Sequence, residues 1–333
     1  MNLDFDHSDL ADADFQAVVD WIEVRVRLPR PSQPRHLRAR MAAALPHWGT
    51  PPYVEAETTH PSGTAASFTF RIQDPLGPDQ LMSDLSLLGQ DGERPLTEGD
   101  VDVLAIEVAL DVYPSARSRQ RPDLALVAHY LHLHHARPPS GTVRVTGPDG
   151  GAIIWNHGDV QAALGAGQTI NTGDVTSNHR SRCYVKTHDT VDGRSYAPLA
   201  PNQHRARLEV TLARERAPFA TVAAWRSFDF SKLSRQLALR RSIEPDANHA
   251  SPLDRLLWSV VRRGKPDSED ARSAHKRLHK SGSRADTVAN KRIRTALERL
   301  TRQQRNSRSI DATPRPRVGN LRRKVRERDG AAR

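Results

Sequence analysis

The chain has 333 residues, 37% of them hydrophobic, with 50 Lys and Arg against 39 Asp and Glu, a formal net charge of +11. That length accommodates one large or two ordinary domains. Its longest apolar runs, at 101–110 and 124–133, are broken by charged residues or histidines and fall well short of the ~20 residues a spanning helix needs. No membrane segment is therefore expected, and the acidic start MNLDFDHSDLADADF points to a cytoplasmic protein rather than a secreted one.

Residues 20–28, DWIEVRVRL, alternate Ile22, Val24, Val26 and Leu28 with Glu23, Arg25 and Arg27, the period-2 pattern of a strand with one wet face. A helix follows over 36–45. Residues 66–73, ASFTFRIQ, place Phe68, Phe70 and Ile72 on one face and stop at the turn DPLGP. Leu81, Leu85 and Leu88 then recur at helical spacing, so the first third reads strand, helix, strand, helix. VDVLAIEVALDV at 101–112 is a strand, 123–136 a helix, and 142–146 and 152–155 short strands around the hairpin signal GPDGG. Further strands are expected at 181–186 and 206–212. Strands outnumber helices and hairpin signals join them, which predicts an α+β domain over 1–245 built on a largely antiparallel sheet.

From Ser251 the composition changes. SPLDRLLWSVV and DTVANKRIRTALERLTRQQ (286–304) each carry an apolar stripe among basic residues, predicting a small helical module over 251–305, of helix-turn-helix type, and a disordered basic tail from 306 to 333. Residues 255–333 hold 24 Lys and Arg against 8 Asp and Glu, a net of +16, which leaves the rest of the chain at −5. Such a concentration of positive charge attracts polyanions by counterion release, so nucleic acid is the default partner, with Lys291, Arg292 and Arg294 as candidate contacts. A merely solvated tail is the bland alternative.

The motifs of nucleotide hydrolysis, dinucleotide redox and the common zinc hydrolases are absent: there is no P-loop, GxGxxG, HExxH, GxSxG or CxxC. The single cysteine, Cys183, excludes an internal disulfide and reads as a small buried hydrophobe. In HYLHLHH (129–135), a helix would bring His132 onto one face with His129 and His135, giving either a metal pair or an ordinary polar face. Glu107 and Asp111 share one face of an otherwise apolar strand. Two carboxylates there need a compensating cation, either an arginine such as Arg207 or a divalent metal to which Glu209 of RARLEVTL would add a third oxygen ligand. In RSRCYVK, Arg182, Tyr184 and Lys186 lie on one face, as a nucleophile between two phosphate clamps or as plain strand packing.

The ordered set AIEVALDVY, a helix, TINTGDVTSNHRSRCYVKTHD and RARLEVTL resembles the replication initiation factor family (Rep_trans), which includes RstA-like rolling-circle initiators of filamentous phages and plasmids. Gly173, Ser177, Arg182, Tyr184, Lys186, Arg207 and Glu209 match its motifs over roughly residues 15–240. The resemblance implies an HUH-endonuclease-related fold and a Mg²⁺- or Mn²⁺-dependent enzyme that nicks one DNA strand at an origin through a tyrosine. Tyr184 is then the nucleophile, with Glu107, Asp111 and Glu209 for the metal or general base, Arg182 and Lys186 on the phosphate, and Arg207 against DNA. Expected partners are origin duplex and single strand, with a homodimer and a host helicase admitted. The family motif often opens with a tyrosine two residues before the glycine, where this chain has Asn171, and Asp174 replaces the usual serine. Tyr196 is a further candidate nucleophile. The alternative function is a non-catalytic DNA-binding regulator or origin-recognition protein of the same fold; a nucleic-acid-packaging protein is a third.

Overall fold

The computed structural model describes residues 10, 13–44, 53–89, 94–113, 123–136, 139, 143–147, 152–153, 160–190, 196–242 and 283–306. Nine strands form one sheet: β1 (Asp14–Ser32), β2 (Tyr53–Ala56), β3 (Ala65–Gln73), β4 (Val101–Tyr113), β5 (Val143–Thr146), β6 (Ala152–Ile153), β7 (Thr169–Thr172), β8 (His179–Lys186) and β11 (Arg205–Ala213). Their order is β2-β3-β1-β4-β11-β8-β7-β5-β6. Every neighbouring pair is antiparallel. Outside it, β9 (His188–Thr190) pairs with β10 (Tyr196–Pro198), and β12 (Arg240–Ser242) with β13 (Ser283–Ala285). Among the described residues the helices are α1 (Pro34–Ala44), α2 (Pro78–Ser86), α3 (Leu124–His134), α4 (Val160–Gly165), α5 (Val222–Ser227) and α6 (Thr287–Asn306). The chain is thus α+β with an antiparallel sheet.

Alternation along each strand separates two faces of this sheet. On one, Ile22, Val24 and Val26 of β1 stand opposite Ile72, Phe70 and Phe68 of β3, all at most 3% exposed. The same face continues through Val108 and Leu110 of β4, Leu208 and Val210 of β11, and Cys183 of β8. Helix α3 lies against β8 and β11, with the Cys183 thiol donating to the Ala128 carbonyl, so the cysteine is the buried hydrophobe expected. Asp123 starts α3 by accepting a hydrogen bond from the Ala125 amide, one of the orphan donors every helix start presents.

Several parts of the sequence reading change, among them β7, which forms where no strand was expected. The first third contains an additional short strand, β2, against β3, and the strand expected over 20–28 runs from Asp14 to Ser32. Helix α6, expected as the second helix of a basic module, buries Ala289, Ile293, Ala296, Leu297 and Leu300 in the one core shared with the sheet and packs against β1. Its start is fixed at three points. Asp286 accepts from the Ala289 amide and from the Tyr130 hydroxyl, and Asn290 both donates to and accepts from the Leu239 backbone. The expected helix at SPLDRLLWSVV and the tail from 307 onward lie outside the described residues. Among those described, no helix is long and apolar enough to cross a membrane.

Candidate functional site

The second face of the sheet is polar and converges on its two central strands. On β4 the alternation places Glu107 and Asp111 here, and on β11 Arg205, Arg207, Glu209 and Thr211; register sets Arg207 opposite Asp111 and Thr211 opposite Glu107. On β8, Arg182 stands opposite Glu209, Tyr184 opposite Arg207, and Lys186 opposite Arg205. The expected sharing of one face by Arg182, Tyr184 and Lys186 therefore extends to Glu107, Asp111, Arg207 and Glu209.

A residue that alternation assigns to the wrong face completes the cluster. Counting in twos from Ile22 puts Asp20 with the apolar side chains. The register of β1 against β4 shifts between Val19 and Trp21, so Asp20 is the extra residue of a β-bulge. Bulges re-aim side chains, and here the bulge delivers Asp20 to the polar face, where carboxylate oxygens of Asp20, Glu107 and Glu209 all lie within 4.8 Å of one another. Asp20 was missed in the sequence; its one local signal is an acid at a position whose parity is apolar.

Two arginines balance this charge. Arg182 reaches Glu107 Oε1 through Nη2 and Glu209 Oε2 through Nε, both at 2.7 Å. Arg207, 3% exposed, grips both oxygens of Asp111 and also reaches Asp20 Oδ1 at 2.7 Å. Arg205 adds a third contact to Asp111. Asp111 is thereby paired with arginines rather than joined to the carboxylate triad. Its burial works against ionisation, but Arg207 and Arg205 hold its pKa below the ordinary carboxylate value. Glu209 is pushed the other way. Burial, reinforced by Glu107 and Asp20, outweighs Arg182 and Arg207 and raises it to about 7.

Tyr184 donates its hydroxyl to Glu209 Oε1 at 2.7 Å. Burial first, and then the Glu209 carboxylate, hold the phenol well above its ordinary pKa. Glu107 also accepts from the Thr211 hydroxyl. The arrangement is a weak acid, Tyr184, hydrogen-bonded to a carboxylate, Glu209, beside a group of oxygen donors. The donor set fits a hard divalent cation, which takes carboxylate oxygens and leaves room for substrate oxygens. Arg182 neutralises two of these carboxylates, and 43% of its side chain reaches solvent. Glu209 Oε2 is buried and held by the Arg182 Nε contact alone, so a cation entering the triad would take the place of that guanidinium.

The other expected residues do not join the carboxylate triad as ligands. Lys186 pairs with Asp189 at 2.7 Å. Arg207 is buried in its ion pairs. On α6, Lys291 is exposed, Arg292 donates to the Ala13 carbonyl, and Arg294 pairs with Glu298. Tyr196 is exposed on β10. The histidine run is helical as expected, with His135 just past the end of α3 and its Nε2 on the Gln236 carbonyl. Among the described residues Asp20, Glu107 and Glu209 are the only group of three with metal-ligand spacing. Asn171 stands on β7 opposite Arg182, its amide donating to the Thr146 hydroxyl.

Among solved structures, the chain is similar to a rolling circle replication initiator protein from Geobacillus stearothermophilus, at 10% identity and a TM-score of 0.27, over 61% of this chain and 76% of that one. A likeness of that extent assigns neither family nor chemistry. No family model and no curated protein matches the chain.

Proposed function

We propose that this protein is a DNA-binding initiator of rolling-circle replication that nicks one strand at an origin. The observation that carries the reading is the Tyr184 hydroxyl on Glu209, set beside the Asp20, Glu107 and Glu209 carboxylates on one face of the central strands. The order of motifs shared with replication initiation factors supports the same reading. In it, the Tyr184 oxygen forms a bond to phosphorus as the P–O3′ bond breaks, the phenol proton passes to Glu209, and the departing O3′ takes a proton from water, leaving a free 3′-hydroxyl and a 5′-phosphotyrosyl link. A Mg²⁺ or Mn²⁺ held by Asp20, Glu107 and Glu209 would polarise the phosphodiester and offset the charge that builds on its oxygens. Arg182, released from its carboxylates when a cation neutralises them, would turn to the phosphate.

Arg182 also favours a second reading. While its guanidinium spans Glu107 and Glu209, two of the three carboxylates are already compensated, as in a DNA-binding protein of this fold that does not cleave. Incubation of the purified protein with labelled single-stranded DNA carrying an origin, in the presence of Mn²⁺ or Mg²⁺, separates the two. The expected result is a covalent protein–DNA adduct that disappears in Tyr184→Phe and in Glu209→Gln. Binding without any adduct under either metal would establish the second reading.

A further inference from the structure

The cationic side chains of the polar face differ in one respect. Arg25 pairs with Glu57, Arg27 with Asp102, Arg71 with Glu23, Arg182 with Glu107 and Glu209, and Arg205 and Arg207 with Asp111. Arg144 of β5 and Arg180 of β8 have no carboxylate partner among the described residues, although both lie on the same face. Arg144 stands opposite Asn171, which stands opposite Arg182, and Arg180 is two residues from Arg182 along β8.

Each of the two is nevertheless fixed in place. Arg144 donates through Nη2 to the Gly173 carbonyl at 3.1 Å, and Arg180 through Nη1 to the Val175 carbonyl at 3.0 Å. Both carbonyls belong to the β7–β8 connection, so one loop orients two guanidinium groups. In both, the Nε–H is buried and has no acceptor. A buried donor left unmatched is costly, a cost that a ligand with acceptor oxygens would relieve. We propose that Arg144 and Arg180 form a cradle for the backbone phosphates of a single DNA strand passing alongside the carboxylate cluster. Phosphate suits it better than a lone carboxylate. It offers several oxygens to the planar guanidinium fork, and two forks held by one loop but carried on different strands match a repeating anion rather than one small ion.

The proposal rests on the DNA-binding reading above and not on cleavage. Its test uses the full chain and a fluorescent oligonucleotide, with affinity followed by anisotropy over a range of NaCl concentrations. Arg144→Gln/Arg180→Gln should weaken single-strand binding about tenfold at moderate salt and lower the slope of log affinity on log salt by roughly 1.4, about 0.7 for each phosphate no longer neutralised. Mn²⁺ uptake, measured by calorimetry, should stay unchanged, because neither arginine is a ligand. Arg144→Lys/Arg180→Lys should restore most of the slope but not all of the affinity, since lysine keeps the charge and lacks the fork. An unchanged affinity and slope in the glutamine variant, with its thermal transition intact, would overturn the cradle even where the wild type forms an adduct. A wild type that binds no single strand would overturn both the cradle and the initiator reading. A wild type that binds but never forms an adduct, with the double variant weakened as expected, would keep the cradle and reject cleavage.

Discussion

Glu209 shows how strongly a single position on this face is determined. Burial and two neighbouring carboxylates disfavour its charge, two arginines favour it, and the balance raises it to about 7 against an ordinary 4.5. A carboxyl whose pKa is higher folded than unfolded binds its proton more tightly in the native state. Its contribution to stability is then complete below about pH 4.5 and is lost as the pH rises toward 7. In metal-free buffer Glu209 should accordingly contribute a fall on the order of 2–3 kcal/mol to chemical denaturation of the wild type across that window, and Glu209→Gln, which cannot ionise, should keep only the slope that Asp74 supplies, burial having raised that carboxyl to about 6. A wild-type curve no steeper than that of the variant would show that Arg182 and Arg207 keep Glu209 charged throughout. The same side chain accepts the Tyr184 hydroxyl, so the group that titrates near neutrality is the one placed to take a phenol proton.

At the scale of elements, two irregular positions set the regular ones. One is the bulge that turns Asp20 to the polar face. The other is Gly173 in the β7–β8 loop, at a φ of +95°, where a Cβ would lie 3.0 Å from the His179 carbonyl oxygen and 3.1 Å from Pro139 Cβ. Both the dihedral and the space require glycine. Gly173→Ala should cost about 1–3 kcal/mol in urea denaturation. It should also weaken single-strand binding, because the Gly173 and Val175 carbonyls anchor Arg144 and Arg180; full stability in the alanine variant would show that the loop accommodates a side chain. These positions mark the limit of what the sequence discloses. Glu107, Asp111, Glu209, Arg182 and Tyr184 were assignable to their faces because alternation within each strand is regular. That Asp20 joins Glu107 and Glu209, while Asp111 goes to Arg207, depends on a bulge and on pairing between strands far apart in the chain, information no local pattern contains. Arg144 and Arg180 escaped notice for the same reason, since their want of carboxylate partners is a property of the assembled face.

At the scale of the whole molecule, composition alone merges two parts of the basic C-terminal quarter, a helix of the fold and the segment after it. Helix α6 belongs to the fold. Ile293 and Leu297 are 0% exposed in the common core, Asp286 ties the helix start to Tyr130, and Thr301 bonds the Phe230 amide. Removing residues 255–333 as a unit would therefore strip a core helix together with its charge, and a loss of DNA binding would say nothing about the charge. A cut after Asn306 avoids this. It removes 9 Lys and Arg against 3 Asp and Glu and leaves α6 itself whole. The shortened protein should keep its thermal transition within a few degrees, while its duplex-DNA affinity becomes less steeply dependent on salt, the slope falling by roughly 0.9 for each phosphate the segment neutralises. An unchanged slope would place the electrostatic contact with duplex on the folded part. In that case the exposed Lys291 and Arg294 of α6 and the arginines of the polar face would have to supply it.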